Sequence, residues 1–135
     1  MSEGNAEIVR RGYAVEYGGD DWLAIVDRYI AADCAVEDRT LPEVAADLRG
    51  PAAFRAGAAY MLDTFDEVGY VVEELRELDN QTLVRVRGSA RGKGSGVHVE
   101  GTLGHIWTLR AGKVVRLDIY PTWDDALAAA GLTTG

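Results

Sequence analysis

YVVEELRELDNQTLVRVRGSARGKGSGVHVEGTLGHIWTLRAGKVVRLDIY, residues Tyr70 to Tyr120, is where the hydrophobic pattern of this chain changes period. Val84 to Arg87 and Val115 to Ile119 alternate apolar with polar, and successive side chains of a strand point to opposite faces. Asp79-Asn80, Gly92-Lys93-Gly94 and Ala111-Gly112 are turn formers that divide the stretch into strands near 70–78, 82–91, 96–109 and 113–120. Connections this short make an antiparallel meander. Gly101 and Gly104 inside the long third strand predict a bulge or a strong bend.

Upstream of this stretch the period is helical. Val9, Tyr13 and Tyr17 share one stripe over residues 5–17, and Gly18-Gly19 end that helix. Asp20 and Asp21 suit the start of a second helix, where carboxylates meet free N–H groups; it runs to about Ala32 and buries Trp22, Ile25, Val26 and Tyr29. Ala35 to Asp38 reads as a short strand and Arg39 to Arg49 as loop. Gly50-Pro51 opens a third helix, because proline in the first helical position gives up no useful donor. Its stripe is Phe54, Ala58, Met61, Leu62 and Phe65. Downstream, Thr122 and Asp125 resemble a capping box for a short helix over 123–130, closed by Gly131. The class is therefore α+β: a long, curved antiparallel sheet wrapped as a cone around three N-terminal helices, enclosing one pocket, with a short C-terminal helix.

The totals limit what such a domain does. A length of 135 residues with 47% apolar content predicts one domain able to bury its own core. A formal net charge of −8 argues against nucleic acid, whose binding needs a basic stripe to displace counterions. No apolar run approaches the roughly 20 residues that cross a bilayer. The N-terminus is polar, and Cys34, the one cysteine, cannot form an internal disulfide. A cytoplasmic setting is expected. Cys34 has no basic neighbour in sequence and reads as a buried apolar residue rather than a nucleophile. The glycines at 92, 94 and 96 lie in a hairpin turn, not between a strand and a helix, so they are not a phosphate loop.

Helix–helix–strand–helix followed by a curved meander resembles the cone fold of nuclear transport factor two and its relatives. Within it the chain is most similar to the SnoaL-like polyketide cyclase family and, more distantly, to the ketosteroid isomerases. The resemblance is carried by Ile8–Tyr17 before Gly-Gly-Asp, Ala35-Val36-Glu37-Asp38, Arg49-Gly50, Arg91–Val97 and Trp107–Arg116. The ending Tyr120…Ala126-Leu127…Ala130-Gly131-Leu132 adds to it. The superfamily hosts cyclases, isomerases, dehydratases and non-catalytic binders, so the resemblance implies a fold and a pocket more than a reaction.

Three residues are candidates for acid–base chemistry. Asp38 resembles the isomerase general base, a carboxylate at the cavity mouth that takes a proton from carbon beside a carbonyl. Tyr13 resembles the tyrosine that donates to the developing oxyanion. In the isomerases a protonated carboxyl directly before a histidine on the third strand completes the oxyanion hole. Here Gly104 precedes His105, so a true steroid isomerase is not expected.

His98 and Glu100 share a face of the third strand with Thr102, Gly104 and Ile106, and the resemblance implies that this even-numbered set looks inward. His98 is then an acid or base oriented by Glu100, and His105 and Trp107 lie on an outer face that dimerises. The odd-numbered set (Val97, Val99, Leu103, Trp107, Leu109) is the more apolar and ordinarily the core side, so alternation leaves the parity open. Trp22, Phe54, Ala58, Met61, Phe65, Val86, Glu100, Ile106, Leu117 and Ile119 are expected to contact ligand. Arg85, Arg87, Arg116 and Asp118 fall opposite Val84, Val86, Val115, Leu117 and Ile119, on the outer face.

The reading is a cofactor-free enzyme of cyclase or isomerase type acting on an apolar, carbonyl-bearing compound, polyketide- or steroid-like, with no metal. Its partners are that small molecule and a second copy of the chain. The alternative is a binding protein of the same fold that holds a hydrophobic ligand unchanged.

Overall fold

The computed structural model describes residues 4–44 and 46–132, and its elements follow the expected order. Helix α1 (Asn5–Tyr13) stops short of the predicted end, leaving Val15 and Tyr17 in the turn that leads through Gly18 to α2 (Asp20–Tyr29). Ile8 and Val9 of α1 and Trp22, Val26 and Tyr29 of α2 are buried. Strand β1 (Ile30–Asp38) begins directly after α2 and well before the expected start at Ala35. Ala31 and Ala32 are good helix formers, but β1 pairs in parallel with the last strand, and that tertiary pairing outweighs propensity.

Helix α3 (Pro51–Thr64) has proline in its first turn, as its sequence predicts. Gly50 ahead of it has φ +65, and a Cβ there would lie 2.3 Å from the Ala32 carbonyl oxygen, so the chain passes β1 only with glycine. Then come β2 (Phe65–Leu78), β3 (Gln81–Gly92), β4 (His98–Arg110), β5 (Lys113–Tyr120) and α4 (Trp123–Ala129). The sheet order is β1-β5-β4-β3-β2, antiparallel except for β1 on β5. Phe65 opens β2 rather than closing the stripe of α3. Thr122 caps α4 by accepting from the Asp125 N–H at 3.0 Å. Among the described residues no helix is long and apolar enough to cross a membrane.

Both faces of the sheet carry a core. Ile8, Val9, Trp22, Val26, Tyr29, Cys34, Val84, Val86, Leu109 and Val114 join the helices to the inner face. On the other face Leu83 and Ile106 pack under Ala126 and Leu127 of α4. The pairing of β3 with β4 runs without a shift from Gln81–Thr108 to Arg91–His98, so Gly101 and Gly104 do not form the expected bulge. The irregularities lie elsewhere. One is in β2 between Asp66 and Gly69, with Glu67 at φ 54. Another lies between β4 and β5 at Thr108/Leu109, where Val115 is the extra residue and Val114 takes the core place expected of Val115.

Gly104 has a different purpose, because a Cβ on it would lie 2.5 Å from Ala126 Cβ and 2.9 Å from the Thr122 carbonyl oxygen. Glycine here lets α4 seat directly on the sheet. Gly104→Ala is expected to displace α4 and destabilise the fold by about 1–2 kcal/mol, the usual scale of overpacking. Urea unfolding of wild type and variant measures it.

Candidate functional site

Three helices on one face of a curved sheet leave a gap that the side chains do not fill. The result is a cavity of about 420 Å³. Its sheet wall is built by register. Asp38 of β1 lies opposite Ile119 of β5, Ile119 opposite His105 of β4, and His105 opposite Val84 of β3. Cross-strand partners share a face, so Asp38, Ile119 and His105 look inward together, the outer two separated by two strand spacings, roughly 10 Å. Val36, Leu117 and Trp107 form the next inward row. The opposite wall comes from Tyr13, Tyr17 and Trp22 and from Phe54, Gly57 and Met61 of α3.

Tyr13, at the end of α1, is the centre of the polar group inside. Its hydroxyl lies 2.6 Å from His105 Nδ1 and accepts from Trp107 Nε1–H at 2.8 Å. The indole only donates, so the remaining choice is between two tautomers. Either the Tyr13 O–H donates to Nδ1, or Nδ1–H donates to Tyr13 and releases the phenolic hydrogen toward the cavity. Burial lowers His105 to a pKa of about 4, although Asp38 opposes the shift. It is therefore neutral near pH 7, which the first arrangement requires and the second allows. Burial raises Tyr13 and Tyr17 far above the usual phenol range, with neighbouring Tyr70 adding to both. Tyr70 is pushed up to about 12 by burial and then by Asp38.

Asp38 stands at the end of β1 where the β1–α3 loop begins. Its Oδ1 accepts from the Thr40 N–H at 2.8 Å, the Thr40 hydroxyl at 2.5 Å and the Leu41 N–H at 3.1 Å. These bonds hold the carboxylate by one oxygen and leave Oδ2 without a partner among the described residues. Among the described residues, the ionisable groups other than His105 and the tyrosines that line the cavity are two acids, Asp38 and Glu16, with no Lys or Arg.

Tyr13, Asp38, Trp22, Phe54, Met61, Leu117 and Ile119 thus lie on the cavity wall, as the sequence predicts. The others do not. On β4 the odd-numbered set faces inward, so Leu103, His105 and Trp107 line the cavity and the even-numbered set does not. His98 is 55% exposed, with Glu100 3.9 Å away as its ion partner. Glu100 itself pairs with Arg87 on the outer face. Ile106 lies under α4, Val86 and Ala58 are sealed in the core, and Phe65 stands outside the lining. Trp107 is turned inward, not displayed on an outer face. Position 104 faces α4, so the absence of a carboxyl there removes nothing from the cavity. The inward neighbour of Tyr13 on β4 is His105, which the family resemblance placed outside while alternation left the parity open. Its signal was the apolar odd-numbered set around it. Tyr70, with Val68, Gly69 and Val71, enters the wall through the bulged start of β2.

Tyr13→Phe removes the shared oxygen and strands the Trp107 N–H and His105 Nδ1. A stability loss of about 1–2 kcal/mol is expected, limited because water can enter the cavity to replace one bond. Urea unfolding measures it. A loss below about 0.3 kcal/mol would mean the network is not maintained in solution.

The curved sheet, the three helices on its inner face and the short C-terminal helix are the architecture of the nuclear transport factor two-like fold. Residues 9–117 match the SnoaL-like domain, and the chain belongs to that family. Three solved structures illustrate the fold. One is a protein with a ketosteroid isomerase-like fold from Catenulispora acidiphila DSM 44928, in complex with trimethylamine (16% identity, 96% of this chain and 95% of that one, TM-score 0.74). The second, from Jannaschia sp. CCS1, is a candidate SnoaL-like polyketide cyclase (18% identity, 100% and 98% coverage, TM-score 0.74). The third is TerC co-crystallised with polyporic acid (18% identity, 95% and 96% coverage, TM-score 0.72). No curated protein sequence matches this one.

Proposed function

We propose that the protein is a cofactor-free acid–base enzyme acting on an apolar, carbonyl-bearing compound of polyketide- or steroid-like shape. The observation that carries this reading is that Asp38 and Tyr13 line the same cavity from its two walls, with Asp38 Oδ2 free of a partner among the described residues. Asp38 takes a proton from the carbon beside the carbonyl, and the electron pair moves onto oxygen as an enolate. Tyr13 donates to that oxygen. For this its hydrogen must leave His105 Nδ1, so His105 adopts the Nδ1–H tautomer. The phenol then accepts from both His105 and Trp107, which polarises it as a donor. Returning the proton to a different carbon completes an isomerisation; in a cyclisation the enolate carbon attacks a second carbonyl of the same molecule, and the proton goes to the new alkoxide oxygen. His98, on the outer surface, has no part in this. That two neighbours of this fold hold small organic molecules supports the use of the cavity as a ligand site.

A second reading, a protein that binds an apolar ligand without altering it, is favoured by one feature. The Trp107 N–H is spent on Tyr13, so it is not free to serve as a second oxyanion donor beside that phenol. Pairing of two copies through the outer sheet face is also proposed, on the family resemblance alone, since Trp107 gives no reason for it.

The two readings separate in deuterium oxide. With 2-tetralone as probe, an apolar bicyclic ketone, the enzyme reading expects protein-dependent uptake of deuterium next to the carbonyl, followed by NMR. Uptake no faster than in buffer, with the ketone bound, favours the binding protein.

A further inference from the structure

The rings on the cavity wall touch in a closed circuit. Tyr17 lies 5.0 Å from Trp22, Trp22 6.5 Å from Phe54, Phe54 6.0 Å from Trp107, Trp107 6.3 Å from His105, His105 6.1 Å from Tyr70, and Tyr70 5.0 Å from Tyr17. Aromatic faces carry negative charge density and attract cations within about 6 Å of a ring centre. The charged side chains beside this circuit are acids, Asp38 with a spare oxygen and Glu16. The guanidinium groups of Arg39, next to Asp38 in sequence, and of Arg116 on β5 are engaged elsewhere. Arg39 and Arg116 both bind Glu37 and Asp118 on the outer side. These cations are thus held on the outer face, and among the described residues none lines the cavity. An anionic ligand would face a carboxylate and π-clouds with no cation to offset them, whereas an ammonium group would be stabilised by both.

We infer that the cavity selects a ligand carrying a cationic nitrogen, a protonated or quaternary amine, seated in the aromatic circuit within reach of Asp38. This rests on the reading that the cavity is the ligand site, and it adds a charge class to the compound proposed above.

Phenyltrimethylammonium and tert-butylbenzene have nearly the same shape and differ by one charge. Their dissociation constants can be followed through the fluorescence of Trp22 and Trp107 at about 0.15 M salt. We expect the cation to bind about tenfold or more tighter than its neutral isostere. In Asp38→Asn that ratio is expected to fall to about threefold, the ring contribution alone. The neutral compound binding equally well or better overturns the inference, as does a ratio that Asp38→Asn leaves intact, or no binding of either compound. Deuterium uptake by 2-tetralone without any preference for the cation would remove charge selection and leave the acid–base reading standing.

Discussion

Asp38→Asn is expected to lower the protein-dependent deuterium uptake of 2-tetralone by about 10²–10⁴-fold, the usual contribution of a positioned general base. The substitution is informative because the structure separates the two jobs of this side chain. Oδ1 holds the start of the β1–α3 loop through Thr40 and Leu41, and an amide carbonyl accepts those same hydrogen bonds. What Asn lacks is a basic oxygen in place of Oδ2, so the fold should survive while proton abstraction does not. Asp38→Ala would confound the two by freeing the loop. His98→Ala is the matching control: a residue so exposed, with only an ion partner at 3.9 Å, should change neither rate nor unfolding midpoint. A rate for Asp38→Asn within threefold of wild type would take the base role away from Asp38. The acid–base reading would then need another proton acceptor, and Glu16 is the remaining carboxylate on the wall.

Much of this cavity was legible before any coordinates. The alternation after Tyr70, the turn pairs, Gly50-Pro51 and the Thr122 cap each have a local cause, and each fixes an element within a few residues. The parity of β4 was harder to read for a physical reason. Over most globular sheets one face is buried and one is wet, and alternation reports which. In the middle of β4, Gly104, His105 and Ile106 are buried in succession, because α4 covers one face while the cavity and helices cover the other. Alternation vanishes there. It is equally weak at the other end, where His98 to Gly101 are all exposed. The apolar odd-numbered residues pointed to the right face, and the resemblance to the isomerases pointed to the wrong one. An error of one residue in register turned His105 outward and His98 inward, exchanging the candidate acid–base histidine. The start of β2 was illegible for another reason. Val68 to Tyr70 reach the cavity through an irregular step at Glu67, which has a positive φ and no sequence signature.

The inward placement of His105 has a thermodynamic consequence. His105 is 6% exposed, sits between Val84 and Ile119 across the strands, and faces Tyr13, Trp107, Tyr70 and Asp38. Burial holds its folded pKa at about 4, against about 6.5 when exposed. Between those values the unfolded chain binds a proton that the folded chain refuses, so the unfolded state gains as pH falls. Above about pH 6.5 His105 imposes no such penalty. The stability is lost progressively from there down to about pH 4, and below that both states are protonated and the loss is complete. The gap is worth about 3 kcal/mol, at about 1.4 kcal/mol per pH unit. Carboxylates that are ion-paired in the native state also weaken in acid, so the wild-type curve alone does not isolate the histidine. His105→Gln does, because it cannot titrate. The difference in unfolding free energy between wild type and His105→Gln, from urea titrations at steps between pH 7.5 and 4, is expected to move by about 3 kcal/mol against wild type. A difference that stays flat would mean that His105 protonates as easily folded as unfolded. That would place it in water, break the Tyr13 network, and leave the phenol without the polarising partner on which the proposed chemistry depends.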